Sequence, residues 1–205
     1  VDKNVLNKVL LPLGDFSKEQ ARELAGELNL GLRRRKESQE ICFIPDDDYV
    51  RQLESKCPQL VRKGEIIDSS GKVLGEHAGI HRFTIGQRRG LKVAMGVPYY
   101  VTGLDAEKNR VTLGPKSEVM HSKLLAGCVN WLLEDKPQSK FEAKVKIRYN
   151  SKPAPAVVKP GEEDIEIEFK QPISAITPGQ LAACYIEDSN GLRLTGGGWI
   201  EKVFD

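Results

Sequence analysis

No apolar run in these 205 residues approaches the roughly 20 needed to cross a bilayer as a helix, and no secretory h-region opens the chain. That predicts a soluble, cytoplasmic protein with no membrane partner. The four cysteines, Cys42, Cys57, Cys128 and Cys184, are scattered and form no C-x-x-C pair, which argues against a disulfide framework and for reduced thiols. Neither sign of charge dominates: 31 Lys and Arg face 29 Asp and Glu, so a basic surface, if one exists, must be local. Internal repeats and low-complexity stretches are also lacking. The opening "VDKNVLNKVL" has no initiating Met and starts inside an amphipathic segment, as a processed or truncated chain would. The length allows one large domain or two small ones without help from metals or disulfides.

What is present divides into a helical beginning and a long β-rich remainder. In "GDFSKEQARELAGELNLGL", Ser17 and Gln20 form a capping box, and Ala21, Leu24, Ala25 and Leu28 follow helical spacing. Asn29 or Gly31 supplies the left-handed stop. "ICFI", closed by Pro45, reads as a short strand or extended loop, and "DDDYVRQLESKC" as a second helix with Tyr49, Leu53 and Val50 facing inward. From Gly64 onward hairpins are expected about Ser69 to Lys72 and about Ala106 to Asn109. Strand signals pause at Lys116 to Lys123, and a second β-series starts at Leu124, including the strictly alternating "DIEIEF". Its turn signals, Pro160-Gly161, Pro178-Gly179 and Asn190-Gly191, recur at the spacing of a small closed barrel. The expected fold is mostly β with a short helical N-terminal part. It divides into residues 1–45 with the cysteine loop, a β-rich unit over 46–122, and an antiparallel β-barrel over 123–205.

Several stretches carry candidate chemistry. Cys42 sits in an apolar run, the habit of a buried small hydrophobe. Yet Arg33, Arg34, Arg35 and Lys36 lie within ten positions of it, the setting of a reactive thiolate, and composition leaves both readings open. "FTIGQRRGL" could set backbone N–H groups and the forks of Arg88 and Arg89 against phosphates, or be a solvated loop. "KVKIRYN" places Lys144, Lys146 and Arg148 on one strand face and Val145, Ile147 and Tyr149 on the other, a basic stripe that suits RNA backbone tracking with base stacking. His77 and His81 have i, i+4 spacing, but Ala78 stands where a metalloprotease needs Glu, so no metal site is expected. "LTGGGWI" lacks the Lys-Ser/Thr of a P-loop and reads as a bulge or close backbone crossing.

Taken together, "PLGDFSKEQARELA", "ESQEICFI", "GEHAGIHRFTIGQRRGL", "KVKIRY", "TPGQ" and "GGGWI" resemble the bacterial tRNA-specific 2-thiouridylase (MnmA) family, in the family's order and over nearly the whole chain. The resemblance implies that an N-terminal ATP-pyrophosphatase domain activates the wobble uridine of tRNAs for Lys, Glu and Gln, and that a cysteine persulfide delivers sulfur. Ser38 to Ile44 match the S-x-x-I-C-F-I block, so Cys42 inherits the persulfide role. Arg148, Tyr149 and Gln180 inherit tRNA contacts, and Arg34, Arg35, Lys36, Arg88 and Arg89 are candidate phosphate contacts. The family's S-G-G-x-D-S motif and second cysteine do not occur here, so ATP is expected to be bound by the N-terminal domain and by nothing in these residues. The expected partners are the tRNA anticodon stem-loop and a sulfur-relay donor, with the protein acting as a monomer. Pro45 and Asp46 to Asp48 depart from the small or basic residues many members carry after the block. Two other readings are a noncatalytic RNA-binding barrel resembling translation-factor barrels, with Cys42 structural, and a protein-interaction barrel without RNA.

Overall fold

The computed structural model describes residues 2–6, 8–30, 44, 48–93, 96–133, 135–189 and 191–204. The helical beginning consists of α1 (Lys3–Leu6) and α2 (Lys18–Glu27). Ser17 caps α2 as its spacing predicts: its hydroxyl accepts the Gln20 N–H, the Gln20 side chain returns a bond to the Ser17 N–H, and Asn29 follows with φ 51°. None of the residues of α2 is buried.

Helix α3 (Tyr49–Lys56) starts at Asp48, whose carboxylate accepts the Arg51 N–H at 2.9 Å. Its inner side differs from expectation. Tyr49 and Leu53 are exposed, whereas Val50, Glu54 and Cys57 are half-buried. The reason is Glu54, whose carboxylate meets His81 Nε2 at 2.8 Å and the Arg82 guanidinium at Nε, 2.9 Å. That pairing turns the Glu54 side of the helix inward.

Strands β1 (Gly64–Asp68), β2 (Val73–His77), β3 (Tyr100–Asp105) and β4 (Arg110–Gly114) make one sheet in the order β2-β1-β4-β3. Both expected hairpins are present. In the first, Asp68 Oδ1 accepts the N–H groups of Ser70 and Lys72, and Gly71 takes φ 87°, a region without steric cost only for glycine. In the second, Asp105 accepts the Lys108 N–H and Asn109 turns the chain at φ 52°. The hairpins join through a parallel β1–β4 pair with Ile66 opposite Val111. Ile66, Val101, Val111, Leu113 and Leu91 fill the core of this sheet. Between β2 and β3 the chain is irregular, and His81 lies in a single 3₁₀ turn (Ile80–Arg82).

The second β-series closes into a six-stranded barrel, all pairs antiparallel, in the order β10-β5-β8-β7-β6-β9. Its strands are β5 (Met120–Trp131), β6 (Phe141–Lys146), β7 (Ala154–Pro160), β8 (Ile165–Ser174), β9 (Leu181–Asp188) and β10 (Gly191–Phe204). β5 begins four residues before the expected Leu124, so the division read at Ser122 falls inside a strand that already pairs Met120 with Ser174. In β8, Ile165, Ile167 and Phe169 point into the core while Glu166 and Glu168 face out, which is the alternation of "DIEIEF" made physical. The glycines of "LTGGGWI" are a close crossing. A Cβ on Gly196 would stand 2.7 Å from the Asn130 carbonyl, and one on Gly198 2.6 Å from that of Gly127, at register shifts that let β10 pair with both neighbours.

Candidate functional site

Cys42 and the basic residues Arg33, Arg34, Arg35 and Lys36 lie outside the described residues. The remaining candidates gather where the irregular 78–99 segment of the sheet meets the rim of the barrel.

Strand β6 carries "KVKIRYN", and its hydrogen-bonded part ends at Lys146. Val145 and Ile147 are buried as the alternation requires, but Tyr149 is 90% exposed rather than on their face. A turn causes this: the Ser151 hydroxyl accepts the Arg148 N–H at 3.2 Å and donates to the Arg148 carbonyl at 2.8 Å, rotating Tyr149 outward. The Lys146 ammonium sits 5.4 Å from the centre of the Tyr149 ring, a cation–π contact that holds the ring as an open, positively edged platform. The basic stripe is thereby taken apart. Lys144 pairs with Glu187 at 2.7 Å, Lys146 faces the ring, and Arg148 turns inward.

Half-buried Arg148 uses Nη2 to donate to the Ile85 carbonyl at 3.0 Å, the Ala175 carbonyl at 2.9 Å and Thr177 Oγ1 at 2.6 Å. Ile85 belongs to the sheet's irregular segment and the other two to the barrel, so one guanidinium joins both. Thr177 passes its own proton to the Ala175 carbonyl at 3.0 Å and opens the turn that carries Gln180. Gln180 is exposed, and its main chain is fixed by bonds from its N–H to the Thr177 carbonyl and from the Ile200 N–H to its own carbonyl.

Arg88 and Arg89 are exposed on a loop entered through Gly86, which has φ 81°. Gln87 braces the loop from within. Its side-chain carbonyl accepts the Thr84 N–H at 3.0 Å, and its amide donates to the Arg89 carbonyl at 3.0 Å. Beyond it a cavity of about 430 Å³ opens, lined by Arg88, Lys92, Val97 and Tyr99 among others.

His77 and His81 each meet a partner within the sheet unit. His77 is buried, its Nε2 3.2 Å from the Asn109 carbonyl, and burial pushes its pKa down. His81 is committed to Glu54, whose carboxyl the His81 hydrogen bond holds below its ordinary value, with Arg82 acting in the same direction. Among the described residues no group of His, Cys, Asp and Glu is arranged to hold a metal. Cys57, Cys128 and Cys184 are free thiols, and burial pushes Cys184 up to about 12, which removes it from thiolate chemistry.

Sequence reasoning missed the inward role of Arg148 and the part of Ala175, which is buried at φ 59° against Gly86. The "IGQ" glycine was the available signal for one side of that contact; no residue-type signal marks an alanine in a left-handed conformation.

Three family models match the chain in order: "tRNA methyl transferase HUP domain" over residues 1–46, "tRNA methyl transferase PRC-barrel domain" over 53–115 and "Aminomethyltransferase beta-barrel domain" over 121–200. Among similar curated proteins, the tRNA-specific 2-thiouridylase MnmA of Carboxydothermus hydrogenoformans is 45% identical over 98% of this chain and 54% of the relative. That of Halothermothrix orenii is 40% identical over 97% of this chain and 55% of the relative. The tRNA-specific 2-thiouridylase MnmA 1 of Clostridium tetani is 42% identical over 97% and 54%. The chain therefore spans about 55% of the length of these relatives. Two of the three model descriptions agree with the relatives' names on tRNA, all three differ from them on the group transferred, and full-chain similarity of this order decides between them: the chain belongs to the tRNA-specific 2-thiouridylase (MnmA) family.

Proposed function

We propose that this chain supplies the sulfur-carrying cysteine and the tRNA-gripping units of an enzyme that converts the wobble uridine of tRNAs for Lys, Glu and Gln to 2-thiouridine. The observation that carries the reading is the convergence at one rim of the Arg88–Arg89 loop and the Tyr149 platform, joined through Arg148. Exposed guanidinium groups beside an open aromatic ring suit single-stranded RNA, whose phosphates take the charge and whose unpaired bases can stack. An anticodon loop offers both, and taking a base out of it costs less than opening a duplex.

In this reading residues 46–122 and 123–205 hold the RNA, with Tyr149 and Gln180 reaching it and Arg34, Arg35, Lys36, Arg88 and Arg89 meeting phosphates. Cys42 receives sulfur as a persulfide from a relay protein, and the four cations upstream of it in sequence favour the anionic form that transfer requires. ATP serves in the family to activate the base, and S-G-G-x-D-S does not occur in the sequence. In this reading activation falls to the family's N-terminal nucleotide-binding domain, and the protein acts as a cytoplasmic monomer.

Cys42→Ser in the full-length protein is expected to abolish thiolation while folding and tRNA binding persist. Undiminished thiolation would make the chain a noncatalytic RNA-binding module, and thiolation by these 205 residues alone with ATP and a sulfur donor would contradict the division of labour.

A further inference from the structure

We propose that Arg148 is a positioning residue: it pins the 84–90 loop of the sheet to the rim of the barrel, so that the Arg88–Arg89 loop and the Lys146–Tyr149 turn form one continuous RNA-binding face. The inference deepens the function proposed above and rests on it.

Three observations carry it. The half-buried Arg148 guanidinium bonds to Ile85 on one side and to Ala175 and Thr177 on the other. A guanidinium so committed must break these bonds to present the same nitrogen to a phosphate, and each is a charge-assisted bond of the stronger kind. The second is the contact beneath the pin. Gly86 and Ala175 meet so closely that a Cβ on Gly86 would overlap the Ala175 Cβ, with the Ala175 Cα at 3.5 Å and Arg148 Nη2 at 3.9 Å. Both residues are in left-handed conformations, φ 81° and 59°, and both backbones are held, Gly86 N–H to the Val101 carbonyl of β3 and Ala175 N–H to the Val119 carbonyl just before β5. The third is placement. Arg88 and Arg89 follow Gly86 by two and three residues, within about 11 Å along the chain, and Tyr149 follows Arg148 directly, so the pin sets the spacing between guanidinium forks and aromatic platform.

A lysine cannot stand in here, because its ammonium ends one bond short of the Nη2 position from which the Ile85, Ala175 and Thr177 acceptors are all reached. A phosphate contact, by contrast, tolerates lysine.

The test uses the 205-residue chain, an unmodified anticodon stem-loop RNA of tRNA Glu, and two readouts: RNA affinity and small-angle X-ray scattering of the free protein. R148A and R148K are both expected to weaken RNA binding about tenfold and to broaden the scattering distance distribution alike, the scale of one lost charge-assisted bond. G86A, which adds no group able to touch RNA but forces Ala175 away, is expected to reproduce the loss. In G86A/A175G the offending Cβ is gone and the nearest atom stands at 3.5 Å, while the left-handed strain of an alanine at φ 81° stays, so a measurable part of the lost affinity is expected to return. Near-wild-type RNA binding by R148K beside a weak R148A would show a charge contact and overturn the proposal, as would a double variant no better than G86A. Unchanged scattering in every variant would overturn the pin whether or not RNA binds. Failure of the wild-type chain to bind the stem-loop would instead sink the RNA-binding reading, leaving scattering to judge the pin. Should the Arg148 variants not fold, the glycine–alanine pair decides alone.

Discussion

The barrel and the four-stranded sheet hold themselves together by different means. In the barrel fourteen buried residues, among them Leu124, Ile165, Ile167 and Ile200, form one apolar cluster, and closure leaves no strand edge unpaired. The sheet has a cluster of five and two open edges, and it is fixed by polar ties. His77 meets the Asn109 carbonyl, the Asn109 amide donates to the carbonyls of Arg62 and Lys63 at 3.2 and 2.7 Å, Arg110 pairs with Glu65 at 2.8 Å, and Glu54 binds His81 and Arg82. Apolar burial gives stability with little directional demand, whereas hydrogen bonds fix geometry and cost heavily when one partner is lost. The barrel is thus a rigid mount, and the sheet is a small unit whose loops are set by a few polar contacts, including the one supplied by Arg148.

The largest effect that would test this contrast is in the barrel. Ile167→Ala removes a fully buried side chain and is expected to cost about 3–4 kcal/mol, read from urea unfolding. Both tryptophans, Trp131 and Trp199, lie on barrel strands, so their fluorescence reports that unit specifically.

Asn109→Ala should cost the sheet about 2 kcal/mol, since it strips the bonds to Arg62 and Lys63 and leaves alanine at φ 52°. The loss should appear as faster amide exchange at Val111 and Leu113 with tryptophan unfolding little changed. Equal loss in both readouts would mean that the two units unfold together.

Acidification should also separate the units, by a smaller amount. Burial lowers the His77 pKa in the folded state, so below about pH 6.5 the unfolded chain takes up the proton first and the sheet loses stability as pH falls toward the folded value. Glu54, held low chiefly by the His81 hydrogen bond, adds a second loss at lower pH, as its folded-state pKa is approached from above. Amide protection in β1 and β4, taken relative to the intrinsic base-catalysed exchange rate at each pH, should therefore fall between pH 7.5 and pH 5.5, a range of about two units around the ordinary histidine value, and His77→Gln should flatten that fall. Acid lability confined to the barrel would contradict the contrast.

The smallest effect concerns the thiols. Iodoacetamide should modify exposed Cys128 in the native protein and reach Cys184 only on unfolding, as mass spectrometry would show, because the Cys184 thiol is buried and pushed up to about 12.

What was legible in the sequence follows the same divide. The Ser17–Gln20 cap, the alternation of "DIEIEF", both sheet hairpins and the glycine crossing are local or periodic, and each is found. The contacts that set the candidate site are neither. Arg148 reaches carbonyls 63 and 27 residues away, and main-chain acceptors carry no residue signature. Tyr149 was placed on the buried face because "KVKIRYN" alternates to its end, but the Ser151 turn breaks the period after Ile147. Tyr49 and Leu53 were turned inward on apolarity alone, and the charged Glu54 took the inner side through partners 27 and 28 residues on. The Cys42 segment lies outside the described residues, so its role rests on the family blocks alone.

The most direct test of the joint RNA-binding face is the affinity of this chain for an unmodified anticodon stem-loop, measured across a salt series for the wild type and Tyr149→Ala. Affinity should fall steadily with salt, as phosphate contacts require, and Tyr149→Ala should weaken binding about tenfold with the salt slope unchanged, as loss of one stacked base would. Affinity that ignores salt, or a Tyr149→Ala variant indistinguishable from the wild type, would contradict the account.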